Sequence, residues 1–360
     1  MKRMKRIVFI ALAAVLALSV GLIGCDGNGE EPDVWDSEIA LDMHATITPF
    51  ASIVQQVFSP WVDAVHALVG DDGGTFNITM TAGDAPFDAA ASLAALTAGT
   101  VDIAQLSPDT FHLGGIGYMP FLSPSIEATA YATYYLWTEN DQGWDTSGQL
   151  SGIKFLITAP LWGAQLWTTD VGGNVTQLAD FEGMDIRSEG AESTTILALN
   201  ASPIYLGTSE LGTALQTHIV NGCFFTYTGW KGFSGVGPNT DYTTELNMFY
   251  RPYSLAINKA SYDALPTDAK TALDSVCGAA QSVVYATAHQ AAEAEDRGFT
   301  ETDESFGRPI YVPSPAEMLE LEAATAGVAT AWEAYLVDPL EFPEGIVARY
   351  EALIAEYLAL

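Results

Sequence analysis

Short apolar runs alternate with helix-period patterns along most of this chain. Ile39-Ala-Leu-Asp-Met-His44 alternates with period two and predicts a strand. Pro49 opens a helical pattern with Ile53, Val57, Trp61, Val65 and Leu68 on one face, closed by Gly70 and kinked or split at Pro60. Strands predicted near residues 75–81 and 101–106 flank a helix predicted over 88–98. After about Leu150 the spacing predicts strands over 153–158, 165–169, 184–187, 203–206 and 219–225. Helices are predicted between them over 191–199 and 209–218, the second capped by Thr208 or Ser209. Beyond Leu246 a further strand pair is expected, including 253–257. A long Ala-rich helical stretch runs from a Thr267 cap towards Gly298, with helices expected over 314–335 and 343–358. Repeated strand–helix–strand units predict an α/β fold, a parallel or mixed sheet covered by helices. The Ala-rich helix fits a spine shared by two lobes and equally a helix confined to one.

At 360 residues, 49% hydrophobic and 16% charged, the chain has enough apolar surface for roughly two domains with their own cores. Charge changes the picture more. Lys and Arg total 13 against 45 Asp and Glu, a formal −32. Nucleic acid, held through clustered basic side chains, is excluded as a general partner. Four cations (Lys2, Arg3, Lys5, Arg6) precede the first acid. From Ile7 to Ile153 there is no Lys or Arg, and the other nine lie between Lys154 and Arg349. An anion site that needs a full positive charge must therefore use the second part of the chain.

The basic start followed by the apolar run Ile7–Ile23 reads as an export signal. Leu22-Ile23-Gly24-Cys25 looks like a bacterial lipobox, in which Cys25 is lipidated and begins the mature chain. A run of this length is also at the short edge of a membrane span. The polar Asp-Gly-Asn-Gly-Glu-Glu-Pro after Cys25 favours the lipoprotein, with residues 26–36 as an acidic tether. Residues 1–25 are thus expected to be the signal, and the mature protein to sit outside the cytoplasmic membrane. Cys223 and Cys277 admit either a disulfide or two separate thiols.

No GxSxG, GxGxxG, Walker loop or HExxH occurs. The five histidines, His44, His66, His112, His218 and His289, are scattered without metal-ligand spacing. Gly232-Phe-Ser-Gly has the wrong spacing for a nucleophile elbow, and Asp170-Val-Gly-Gly-Asn174 lacks the later bidentate Glu of a calcium loop. No cofactor, metal or catalytic residue is expected.

The informative stretch is Phe181-Glu-Gly-Met-Asp-Ile-Arg-Ser-Glu-Gly190. It is followed by Leu199-Asn-Ala-Ser-Pro-Ile-Tyr-Leu206 and Ser209-Glu-Leu-Gly-Thr-Ala-Leu-Gln-Thr-His-Ile-Val-Asn-Gly222. In order, spacing and residue type this resembles the DctP-type solute receptors of TRAP (tripartite ATP-independent periplasmic) transporters. Upstream, Leu96-Thr-Ala-Gly-Thr-Val-Asp-Ile-Ala104 and Met119-Pro-Phe121 agree with it. The resemblance implies a two-lobe periplasmic-binding-protein-like fold, class II-like, with an interlobe ligand cleft and the chain crossing between lobes. It further implies capture of an organic acid without chemistry, and delivery to TRAP membrane subunits. The lobes are expected as residues 37–150 plus about 241–285, and 151–240 plus about 286–360.

By the same resemblance Arg187 pairs with a ligand carboxylate, which a planar guanidinium at a strand end suits physically. Its structural alternative is an ion pair with Glu189 or Glu210. Two departures from the family pattern matter. A second arginine of many relatives is replaced by Gln165, and a polar Asn stretch becomes Cys223-Phe-Phe-Thr-Tyr227. Trp162, Trp167, Phe224, Phe225, Tyr227 and Trp230 then predict a site more aromatic and less cationic than usual, unless those rings pack in the core. A monocarboxylate with an apolar or aromatic body is favoured over a dicarboxylate. Local positive potential would come from Arg187, with Lys231 or Arg251 and helix N-termini. The alternatives are a same-fold receptor for a dicarboxylate or for a sensor, and an exported enzyme.

Overall fold

Two sheets share this chain, and the strands change sheet three times. The computed structural model describes residues 34–360 except 48, 50, 84, 85, 140–142, 162, 191, 233, 234 and 303–308. The expected signal, most of the tether, Cys25 and Trp162 lie outside the described residues.

The first sheet contains β1 (Glu38–Ala45), β2 (Thr75–Ala82), β3 (Ile103–Leu106) and β4 (Ile153–Pro160). A returning strand, β10 (Pro252–Asn258), inserts between β3 and β4 to give the order β2-β1-β3-β10-β4. β1 is parallel to β2 and β3, whereas β10 is antiparallel to β3 and β4. The second sheet contains β5 (Gln165–Thr168), β6 (Asp185–Ser188), β7 (Ser202–Tyr205), β8 (Gly222–Phe225), β9 (Tyr242–Thr244) and β11 (Ile310–Tyr311). Its order is β11-β9-β5-β8-β6-β7, with β6, β7 and β8 mutually parallel. The expected α/β class holds. The expected divisions at 150/151 and 240/241 miss the exchanges between sheets: β4 pairs in the first sheet and β9 in the second. The strand pair expected beyond Leu246 is not a pair, because β10 joins the first sheet.

The two connections β4–β5 and β9–β10 run side by side and bond to each other. Leu161 N donates to Arg251 O (2.8 Å), Ala164 N to Phe249 O (3.0 Å), and Met248 N to Ala164 O (3.1 Å). A third link is the helix Ala279–Thr302. Its N-terminal half is tied to β4: Thr158 N donates to Ser282 Oγ (2.9 Å), and His289 Nδ1 lies 3.2 Å from Pro160 O. Its C-terminal half is tied to the second sheet's loops through Glu293 with Thr228 and Arg297 with Glu245. The helix is the shared spine.

The Ala-rich stretch is nevertheless two helices, Thr267–Ser275 and Ala279–Thr302. Gly278, at φ +96°, turns the chain between them and donates to Leu156 O (2.8 Å). Pro60 has the expected effect: a π-helical turn over Val54–Phe58 gives way to an α-helix over Ser59–His66, with Pro60 in its first turn. The pattern expected over 314–335 also divides, into Pro315–Thr325 and Gly327–Val337. Short helices over Tyr227–Gly232 and Lys259–Asp263 were not anticipated, nor was the longer Ile126–Thr138. Ile126–Thr138 is buried on nearly every side, so no polar stripe sets its period.

Strand alternation sorts the core. Leu166 and Phe224 face a central cluster that also holds Phe155, Phe249 and the C-terminal Tyr350. Trp167 and Cys223, one residue along, face a separate cluster with Leu211, Tyr227 and Trp230. Cys223 and Cys277 are both free thiols, and they border different clusters.

Candidate functional site

The parallel strands β6, β7 and β8 end together, and the residues just past each end meet around one guanidinium. Arg187, on β6, is 1% exposed. Its Nε donates to Leu206 O beyond β7 (3.1 Å), and its Nη2 donates to Thr208 Oγ1 (3.0 Å) and to Glu189 Oε1. The half-buried ring of Phe225, at the end of β8, lies 5.9 Å from the guanidinium carbon. Nη1 is buried and has no hydrogen-bond partner among the described residues. Ligand crevices of α/β sheets lie at such carboxyl ends of strands.

A second cation enters from the crossing segment. Arg251, immediately before β10, donates through Nη1 to Glu189 Oε2 (2.6 Å) and through Nη2 to Glu192 Oε1 (3.1 Å). Glu189 thus bridges two arginines with one carboxylate oxygen on each. Burial opposes its ionisation, but the charges of Arg251 and Arg187 outweigh this and bring its pKa down to about 2. At Glu192 burial dominates the attraction of Arg251 and raises the pKa. Burial would lower the pKa of Arg251; Glu192 and Glu189 reverse that and raise it, keeping the guanidinium charged.

The first sheet contributes the facing wall. Past β3, Asp109 Oδ2 accepts from Tyr118 OH (2.6 Å) and Ser107 Oγ (3.2 Å), and the Tyr118 ring lies 5.5 Å from the Arg251 guanidinium carbon. Gln105, on β3, accepts from Thr46 N (3.0 Å) and Thr46 Oγ1 (2.8 Å), leaving its buried Nε2 unpartnered. A cavity of about 600 Å³ adjoins this wall, lined by Asp109, Phe111, Met119, Thr194 and Trp332 among others. Arg187 is not in its lining, so the arginine cluster and the cavity are neighbours rather than one pocket.

Of the residues singled out in the sequence, Arg187 and Phe225 come together. The expected alternative for Arg187 is also present, since it pairs with Glu189; Glu210 instead caps its helix by accepting from Gly207 N (3.1 Å). Gln165 is fully used inside the protein. Its Nε2 donates to Gly163 O (2.8 Å) and Asn247 Oδ1 (2.7 Å), while Oε1 accepts from Leu246 N (2.7 Å) and Asn247 N (3.1 Å). Trp167, Tyr227 and Trp230 pack in the outer cluster of the second sheet, where the two indoles stack at 4.9 Å. Phe224 is buried against Phe249. These four rings are core, at most 2% exposed: the register Trp167↔Cys223↔Arg187 puts Trp167 on the face of Arg187, but Trp230 and Tyr227 cover it, and Phe224 lies on the opposite face. Lys231 pairs with Asp296 and stands apart from the cluster.

Glu189, Glu192, Asp109 and Tyr118 were not singled out as site residues, and Arg251 only as a source of potential. The expectation of a less cationic site therefore needs revision: a second arginine is present, and it is neutralised from within. The signal was the acid at position 189, two residues after the strand-end arginine.

The profile of the bacterial extracellular solute-binding proteins, family 7, matches residues 48–333. Among solved structures, a TRAP solute binding protein from Rhodoferax ferrireducens T118, in complex with copurified benzoate, is similar with a TM-score of 0.76. The two are 21% identical, over 89% of this chain and 99% of that one. A marine metagenome TRAP solute binding protein specific for aromatic acid ligands, in complex with metahydroxyphenylacetate, gives 0.76 at 19% identity, over 89% and 99%. A TRAP periplasmic solute binding protein from Bordetella bronchiseptica with bound (R)- and (S)-mandelate gives 0.72 at 19%, over 89% and 99%. The two-lobe fold is common to them and to this chain.

Proposed function

The chain belongs to the bacterial extracellular solute-binding proteins of family 7, and on that premise we propose that it captures an organic monocarboxylate with an apolar or aromatic body for TRAP membrane subunits. Members of this family are receptors working outside the cytoplasmic membrane; they bind and release without making or breaking bonds. The observation that carries the ligand reading is Arg187: a fully buried guanidinium at the strand ends, one terminal nitrogen still unpartnered, beside the ring of Phe225. A charged donor left buried without an acceptor is costly, and a ligand carboxylate would satisfy it. An apolar body gains by burial about 25 cal/mol per Å². The three similar receptors bind benzoate, an aromatic hydroxy acid and mandelate, which supports an aromatic body.

Hinge closure about the paired crossing segments and the spine would trap the ligand and present a surface for docking on the transporter. The reading includes a lipid anchor on Cys25, tested by whether Cys25→Ser moves the protein from the membrane to the soluble fraction. For the ligand, a thermal-shift screen of residues 26–360, stripped of carried-over ligand, against aromatic, aliphatic and dicarboxylic acids is the test. Ligand at ~100 times its Kd should stabilise the fold by about 2.7 kcal/mol. Hits confined to dicarboxylates would overturn the monocarboxylate reading.

A further inference from the structure

We infer that Glu189 sets the charge selectivity of this receptor, acting as an internal counter-carboxylate that leaves its two arginines able to accept one ligand carboxylate but not two. The inference rests on the carboxylate-receptor reading and goes beyond it by assigning the residue that chooses between ligand classes.

The argument follows the donors. Arg187 and Arg251 are both buried, 1% and 8% exposed. Arg251 commits both terminal nitrogens to carboxylates, Nη1 to Glu189 and Nη2 to Glu192, and keeps only its inner Nε unpartnered. Arg187 commits Nε to Leu206 O and Nη2 to Glu189 and Thr208, so Nη1 alone is left over. Glu189 is itself held: Thr208 Oγ1 lies 3.0 Å from its Oε1, and β6 fixes its backbone one residue past the strand. A bidentate grip by Nε and Nη2 is therefore closed to a ligand. One carboxylate can reach Nη1. A second would enter a region already holding Glu189 and Glu192, with no terminal guanidinium nitrogen left to receive it and only the Arg251 Nε unpartnered, and like charges in such a place repel. Replacing the Glu189 carboxylate releases Arg187 Nη2 and Arg251 Nη1 together.

The test uses an isosteric pair, 4-nitrobenzoate with one carboxylate and terephthalate with two. Kd values are measured for the ligand-stripped wild type, Glu189→Gln and Glu189→Ala, with Glu210→Gln as a control that removes one acid at the helix cap, and with circular dichroism to show each variant folded. The wild type should favour 4-nitrobenzoate by at least ~10-fold. Both Glu189 variants should shrink that preference at least ~10-fold by gaining terephthalate, and Glu210→Gln should leave it unchanged. If the wild type binds 4-nitrobenzoate and the Glu189 variants keep its preference, the inference is overturned and the receptor reading stands. A wild type that binds the two acids equally overturns the inference without any variant. Binding of neither acid, nor of any other carboxylate, overturns the carboxylate reading and the inference with it.

Discussion

Glu189, about a quarter exposed, and Glu293, fully buried, both accept from threonine hydroxyls, yet they are driven to opposite ionisation. Two guanidiniums outweigh the burial of Glu189. Glu293, on the spine, has Thr228 and Thr226 as partners and no cation paired with it among the described residues, so burial raises its pKa to about 7. A raised carboxylate binds its proton more tightly folded than unfolded. Its penalty is absent below the ordinary value near 4.5 and grows as pH rises through about 7. The full penalty is on the order of 3 kcal/mol. Glu293→Gln keeps an acceptor for Thr228 and removes the charge, so its melting temperature should gain on the wild type by a few degrees between mildly acidic and mildly alkaline buffer. Melts run in parallel across that range settle it; an equal slope with pH for both proteins would refute the assignment. Glu189 contributes in the other sense, with stability present above about 4.5 and lost as pH falls towards 2. At this scale the sequence was informative about Arg187, whose neighbours in the motif identify it. It offered Arg251 only as a source of potential, because the arginine comes within reach of Glu189 only when a crossing segment 62 residues further on folds back.

At the scale of elements, strand period two decides which aromatic rings can meet a ligand. Leu166 and Trp167 are adjacent in β5 but face different clusters, and β8 divides Phe224 from Cys223 in the same way. A run of aromatics in sequence looks like a lining; in a two-faced sheet most of it must be core. Trp167 stacks on Trp230 and donates to Phe225 O (2.9 Å). Trp167→Ala should therefore cost about 3–5 kcal/mol of stability. Carboxylate affinity of the folded variant should stay within ~3-fold of the wild type, since the indole is buried under Tyr227 and Trp230; a loss of affinity without a loss of stability would put it in the site after all. Most strands were legible because their alternation or buried runs are short and bounded. The helix Ile126–Thr138 was not, because burial all round erases its period. Nor was the break before Ala279, where Gly278 takes a left-handed conformation and donates to Leu156 O, because the Ala-rich pattern resumes at once beyond that single glycine.

Over the whole molecule, two hydrogen-bonded crossing segments and the spine helix join the sheets. His289 sits where they converge. A carbonyl can only accept, so Nδ1 carries the proton towards Pro160 O, and Nε2 faces Ser52 Oγ at 3.0 Å. Burial, partly offset by the bond to Pro160, lowers its pKa to about 4, so it is neutral near physiological pH and holds the hinge without charge. The overall −32 leaves an anionic ligand to be drawn in by local potential, which the structure concentrates at Arg187 and Arg251 and then trims with Glu189 and Glu192. The measurement closest to the central claim is a calorimetric titration of the ligand-stripped protein with benzoate, beside Arg187→Ala. The account predicts saturable one-to-one binding by the wild type and a loss on the order of 100-fold or more in the variant, with its fold intact. Undiminished binding by Arg187→Ala, or binding of benzoate's uncharged amide as tight as benzoate, would contradict it.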